Sequence, residues 1–108
     1  MSNSAPARLS SEHPILQKLL AQYIENLPRH VANITQAVEN ADLLELKRLL
    51  HQLKGSGASY GFPQITQLAR TAEAAVIESA PLEQVIVDVQ SLIEQVRSVQ
   101  GYELAREK

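Results

Sequence analysis

The chain has 108 residues, enough for one domain to bury a single core without staples, and it has no cysteine, which excludes a disulfide framework and a thiolate zinc site and suits a reducing compartment. Ten basic residues against twelve acidic ones give a net charge of −2, which repels a phosphate backbone, so nucleic acid is not an expected partner. Aromatic residues are scarce while Leu, Ile, Val and Ala are plentiful, which favours helix packing over a twisted sheet, and no apolar run reaches membrane-span or signal-peptide length, so a cytoplasmic chain without a membrane partner is expected.

Residues 1–13 are polar and contain proline, and are expected to form a disordered leader. Apolar residues then recur at Leu16, Leu20, Tyr23, Leu27, Val31, Ile34, Val38 and Ala41, the spacing of a helical stripe. Pro28 removes a backbone donor and disfavours helical geometry at Leu27, which predicts a break into a first helix over about 14–26 and a second over about 28–40; a single kinked helix is the alternative. Asp42 followed by Glu45 has the spacing of a capping box and opens a third helix, whose core stripe is Leu43, Leu46, Leu50, Leu53 and Gly57.

The next stop signal is the stretch YGFP, where Gly61 can turn the chain out of a helix and Pro63 can start another. That fourth helix covers about 63–77, with Ile65, Leu68, Ala69, Ala72, Ala75 and Val76 facing inward. Pro81 opens a fifth, whose stripe of Leu82, Val85, Ile86, Val89, Leu92, Ile93 and Val96 persists to about Val99 before Gly101. Short connections make neighbouring helices antiparallel, which predicts an all-α, up-and-down antiparallel four-helix bundle with an additional short N-terminal helix. The domain would cover 14–100, followed by a charged tail over 101–108.

The stretch HQLKGSGASYG, residues 51–61, holds three of the four glycines. As a nucleotide loop it has the wrong spacing, lacks a Lys-Ser or Lys-Thr ending and follows a helix rather than a strand. As a connector it would end the helix at Lys54. As a continuing helix it carries two internal glycines, each costing about 1 kcal/mol relative to alanine, a cost that a marginally stable domain keeps for a reason of fit. Projected at roughly 100° per residue, His51 falls on the solvent flank of that helix, some 120° from the leucine stripe. Lys54 and Gly55 lie one turn on, Lys47 and Arg48 one turn back, and Leu44 and Ala58 complete the face. An exposed imidazole with cations beside it and little bulk on one side suits a nucleophile approached by another protein.

At these residues the sequence resembles the histidine-containing phosphotransfer (HPt) domains of multistep two-component phosphorelays. HQLKGSGASYGFPQITQLARTAE, residues 51–73, follows the family pattern through His51, Leu53, Lys54, Gly55, Ser56, Gly61, Leu68, Ala69 and Glu73; elsewhere the likeness is limited to the helical layout and the stretch ENLPRHVANI. The resemblance implies a four-helix bundle with the phosphorylated histidine exposed midway along its second helix, and a carrier with no kinase or ATP-binding activity of its own. The phosphoryl group would arrive from the aspartyl phosphate of one receiver domain, in a hybrid sensor kinase, and leave to the aspartate of another, in a response regulator. Leu50 departs from the pattern, since many members have a small residue just before the histidine.

On this reading His51 is the phosphorylated nucleophile, and Lys54 stabilises the transferring charge. Leu44, Lys47, Arg48, Gly55 and Ala58 form the partner-binding face, with Ser56, Gly61 and Glu73 in support. Ser56 points away from the His51 face, towards packing or backbone bonding, while Glu73 either supports the site or caps a surface. Lys47 and Arg48 are equally readable as solvated surface charges. No cofactor or metal is expected on the chain, because His13 and His30 share no ligand spacing with His51 and the His51 face has no acidic cluster; magnesium would belong to the receiver. A monomer is expected, and Met1 with its polar leader favours a chain that stands alone. The alternative is a helical adaptor that docks a receiver or kinase without carrying phosphate.

Overall fold

Proline at position 28 does not end the first helix. In the computed structural model, which describes residues 13–107, α1 runs unbroken from Pro14 to Glu39 with Pro28 inside it. The expected pair of helices is therefore one, as in the single-helix alternative. An interior proline costs about 3 kcal/mol; here it sits between Leu27 and Val31, members of one continuous stripe of Tyr23, Leu27, Val31, Ile34 and Ala37 that is buried on both sides of the proline. Burying large apolar side chains contributes about 1.5–3 kcal/mol each, so keeping the stripe in one register outweighs the lost backbone bond. Of the expected leader, only His13 is described, at the N-cap of α1; the rest lies outside the described residues.

The Asp42 side chain accepts a hydrogen bond from the Glu45 amide and caps α2 (Leu43–Ser56). The buried stripe of α2 is Leu46, Leu49, Leu50 and Leu53. Leu43, expected in that stripe, is 44% exposed at the start of α2, and Leu49 lies in the core instead. Beyond Ser56 the chain tightens through Gly57 into a 3-10 turn, Ala58–Tyr60, rather than continuing as α-helix to Gly61. Gly61, at φ +92°, then turns it out into α3 (Pro63–Ile77). A side chain on Gly57 would place Cβ 2.9 Å from the Thr66 amide nitrogen, so the glycine lets the end of α2 meet the start of α3.

The last long helix, α4 (Leu82–Arg97), buries Val85, Val89, Leu92 and Val96. Residues 101–108 do not form a mere charged tail. Gly101 turns the chain at φ +98°, and α5 (Tyr102–Arg106) lies against α1 with Tyr102 buried. The extra helix thus stands at the C-terminal end rather than the N-terminal one. The fold is an all-helical bundle with α2 packed against α3, α3 against α4, and α1 against α2, α4 and α5.

Candidate functional site

His51 projects from the middle of α2 with 67% of its side chain exposed, while Glu73, opposite it on α3, is only 8% exposed. The two meet, with His51 Nδ1 2.9 Å from Glu73 Oε2. An ionised carboxylate can only accept, so Nδ1 carries the hydrogen and donates, which in the neutral ring leaves the lone pair on Nε2. The other carboxylate oxygen, Oε1, pairs with Lys54 Nζ at 2.7 Å. A buried carboxylate is costly unless both oxygens find partners, and here one is satisfied by the histidine and the other by the lysine one turn along α2.

The Lys54 hydrogen bond is the largest influence holding the Glu73 carboxyl below its ordinary pKa; the His51 hydrogen bond acts in the same direction and burial opposes them. A carboxyl whose pKa is lowered by folding stabilises the fold above its unfolded value, about 4.3, and loses that contribution as pH falls through the folded value. The wild type is therefore expected to melt higher than Glu73→Gln near neutral pH, with the gap closing below about pH 4. Melting curves between pH 3 and pH 7 test this, and a gap that stays constant would rule out Glu73 as its source.

The expected cations are not a free cluster around the ring. Arg48 is held by Glu45 one turn back on α2, Lys54 is held by Glu73, and the charge in direct contact with His51 is a carboxylate. Lys47 forms no ion pair among the described residues and lines a groove with Leu44, Arg48, His51, Glu73 and Ile77. Beside His51 the surface is bare at Gly55, where an added Cβ would meet nothing within 4 Å. Ala58 is half-buried in the 3-10 turn, so the α-helical projection that sets it on the His51 face does not apply to it.

Below this face lies a support that the sequence reading does not include. The buried Thr66 hydroxyl donates to the Lys54 carbonyl at 3.0 Å and accepts from the Ala58 amide at 2.7 Å, satisfying two backbone groups left over where α2 ends. Ser56 faces away from His51, as its projection predicts, but bonds a side chain rather than backbone: its hydroxyl meets the Tyr23 hydroxyl at 2.9 Å. The Tyr23 ring stacks on Tyr60 at a centroid distance of 4.2 Å, tying α1 to the turn after the site. A hydroxyl within an apolar stripe, at Tyr23 on α1 and at Thr66 beside Ile65 on α3, was the available signal for both. His13 stands at the N-cap of α1 and His30 lies within that helix, and among the described residues no group of three or more His, Asp or Glu side chains could hold a metal.

An all-helical bundle, an exposed histidine backed by a buried carboxylate and an open glycine beside it define a helical domain that displays an imidazole to solvent. The chain belongs to the Hpt family: the model described as "Hpt domain" matches residues 18–99. Comparisons with curated proteins and with solved structures gave no match. Membership implies a histidine phosphotransfer role in phosphorelays, as a carrier that interacts with receiver domains rather than as a kinase. Among the described residues no helix is long and apolar enough to cross a membrane.

Proposed function

We propose that His51 accepts a phosphoryl group on Nε2 from the aspartyl phosphate of one receiver domain, in a hybrid sensor kinase, and passes it to the aspartate of another, in a response regulator. The observation that carries this reading is the hydrogen bond from Nδ1 to the buried Glu73, which leaves the lone pair on the opposite nitrogen of an exposed ring. The Nε2 lone pair attacks phosphorus, and the N–P bond forms as the P–O bond to the donor aspartate breaks and its carboxylate leaves with the bonding pair. No proton needs to move. The phosphorylated ring gains a positive charge while its Nδ1–H still faces Glu73, which offsets that charge. In the onward step an acceptor carboxylate oxygen attacks phosphorus and Nε2 leaves as a neutral imidazole.

Lys54 has two roles in this reading: it holds Glu73 in place, and it lends positive charge to the phosphoryl oxygens once a receiver has closed over the site. Magnesium is bound by the receiver, and the chain acts as a cytoplasmic monomer. The up-and-down antiparallel course of α1 to α4 belongs to the same reading and is supported by the short connections between them.

The test is incubation of the full chain with isolated receiver domains that have been phosphorylated by acetyl phosphate in magnesium buffer. A phosphate that is labile to acid and stable to base is expected on His51. Receiver binding without any label on the chain would instead support the adaptor.

A further inference from the structure

One carbonyl and one amide at the end of α2 are bridged by a side chain from another helix. In an unbroken α-helix the Lys54 carbonyl would accept from the Ala58 amide, four residues on. Instead the Thr66 hydroxyl of α3 stands between them: it donates to the Lys54 carbonyl at 3.0 Å and accepts from the Ala58 amide at 2.7 Å. The bond from the Gly57 amide to the Leu53 carbonyl, at 2.9 Å, lies just before this insertion. Gly57 makes room for it, since a Cβ there would stand 2.9 Å from both the amide nitrogen and the hydroxyl oxygen of Thr66.

Thr66 and Glu73 are seven residues apart on α3, close to two full turns, so they share one face of that helix. Both are buried, and both hold Lys54: Thr66 bonds its carbonyl, and Glu73 pairs with its ammonium at 2.7 Å. Glu73 also meets His51 Nδ1 at 2.9 Å, one turn back along α2. Thus α3 grips α2 at two points, one on its main chain and one on the two side chains of the site. The grips differ in what they tolerate. Glu73 meets side chains that can swing to follow it, whereas Thr66 bonds main-chain atoms through a hydroxyl one carbon from its own backbone. A slide of α2 along α3 by about 1 Å would stretch at least one of the Thr66 bonds past hydrogen-bonding range. The leucine contacts between the same helices are non-directional and resist such a slide less.

We infer that Thr66 is a positioning residue for phosphoryl transfer: by fixing the register of α2 on α3 it sets the depth at which Glu73 meets His51, and so keeps the hydrogen on Nδ1 and the lone pair on Nε2. The inference rests on the reading of His51 as a phosphoryl acceptor. In a neutral histidine the nitrogen that carries the hydrogen is set by the bonds the ring makes, so a Glu73 carboxylate out of reach releases the hydrogen to either nitrogen. A ring with its hydrogen on Nε2 has no lone pair there to attack phosphorus.

Two measurements on the full chain test this. Nitrogen NMR of protein labelled in its histidine rings, at alkaline pH where imidazole is neutral, reads which nitrogen of His51 carries the hydrogen. Transfer kinetics use isolated receiver domains phosphorylated with acetyl phosphate. Thr66→Val keeps the shape of the side chain and removes the hydroxyl. It is expected to move the His51 hydrogen partly from Nδ1 to Nε2 and to lower kcat about tenfold, with KM for the phosphorylated receiver changed by less than about twofold, because Thr66 is buried. Thr66→Ser, which restores the hydroxyl, should recover the wild-type tautomer and a kcat within about twofold of wild type. Thr66→Cys, with only a weak donor and acceptor, should shift both readouts the same way by less, and replaces the valine variant should that one not fold. Val89→Ala truncates a core residue of α4 and should lower the melting temperature without moving the tautomer, as any purely structural loss would.

A wild-type tautomer and kcat in Thr66→Val, or in Thr66→Cys where the valine variant does not fold, would overturn the inference. So would a serine variant that behaves like the valine one, or an equal change of tautomer in Val89→Ala. If wild-type His51 takes no phosphate, the phosphorelay reading fails, and the tautomer comparison still decides whether Thr66 positions the ring.

Discussion

His51→Gln is expected to lower phosphoryl uptake from a phosphorylated receiver to background while leaving the fold and its melting temperature nearly unchanged. The ring is exposed, so its removal opens no cavity, and Lys54 continues to pair with Glu73, so the buried carboxylate keeps a partner. Changes at surface positions usually stay within about 0.5 kcal/mol. Neither other histidine offers the same setting: His30 is half-buried on α1, where burial first and Arg29 second push its pKa down, and His13 stands at the N-cap of the same helix. Glutamine can reproduce a hydrogen bond to Glu73 but has no nucleophilic nitrogen, so the substitution separates the chemistry from the packing. Residual acid-labile phosphate on the variant would show that another side chain carries the group.

The parts of this fold that were legible in the sequence are those where one local signal dominates. The Asp42 cap, Pro63 at the start of α3 and the left-handed turn at Gly61 each depend on backbone chemistry within four residues, and each is found, although only the Asp42 half of the expected capping box forms because the Glu45 carboxylate pairs with Arg48. Pro28 is different, because its local preference for ending a helix is opposed by burial of Leu27, Val31 and Ile34 against other helices, a term that no local window contains. Tyr102 was missed for a similar reason: one aromatic residue among charged ones reads as a tail until its ring is placed against α1.

The site divides along the same line. The flank of α2 that carries His51 follows from helical period alone, whereas Glu73 on α3 could be either a support or a surface cap until the packing of α2 on α3 put its two oxygens against His51 and Lys54. The cations likewise depend on partners. Projection finds Arg48 near His51, but Glu45, one turn back, holds its guanidinium. Sequence distance along α2 therefore placed His51, Lys54 and Arg48 but not Ala58, which leaves the α-helix for the 3-10 turn, and it left the charge environments open, since each charge was set by the nearest counter-ion.

Gly55→Gln is expected to melt higher than wild type and to transfer poorly or not at all. Gly55 lies within α2, without the positive φ that only glycine takes easily, and an added Cβ would meet nothing within 4 Å, so neither strain nor a clash opposes a side chain there. Replacing glycine by a good helix former at such a position gains up to about 1 kcal/mol, which for a domain of this size raises the melting temperature by several degrees. The contrast with Gly57 is informative: a Cβ there would press on the Thr66 backbone and on the Phe62 carbonyl, so that glycine is fixed by packing and Gly55 is not. What remains to explain Gly55 is the approach of another protein, because a glutamine side chain one turn from His51 would stand where the phosphorylation pocket of a receiver must close over Nε2. The measurements are a thermal melt and a transfer time course against the same phosphorylated receiver. A variant that melts higher and transfers at the wild-type rate would mean that this face is not approached closely, and one that melts lower would mean that Gly55 carries a structural demand absent from its surroundings.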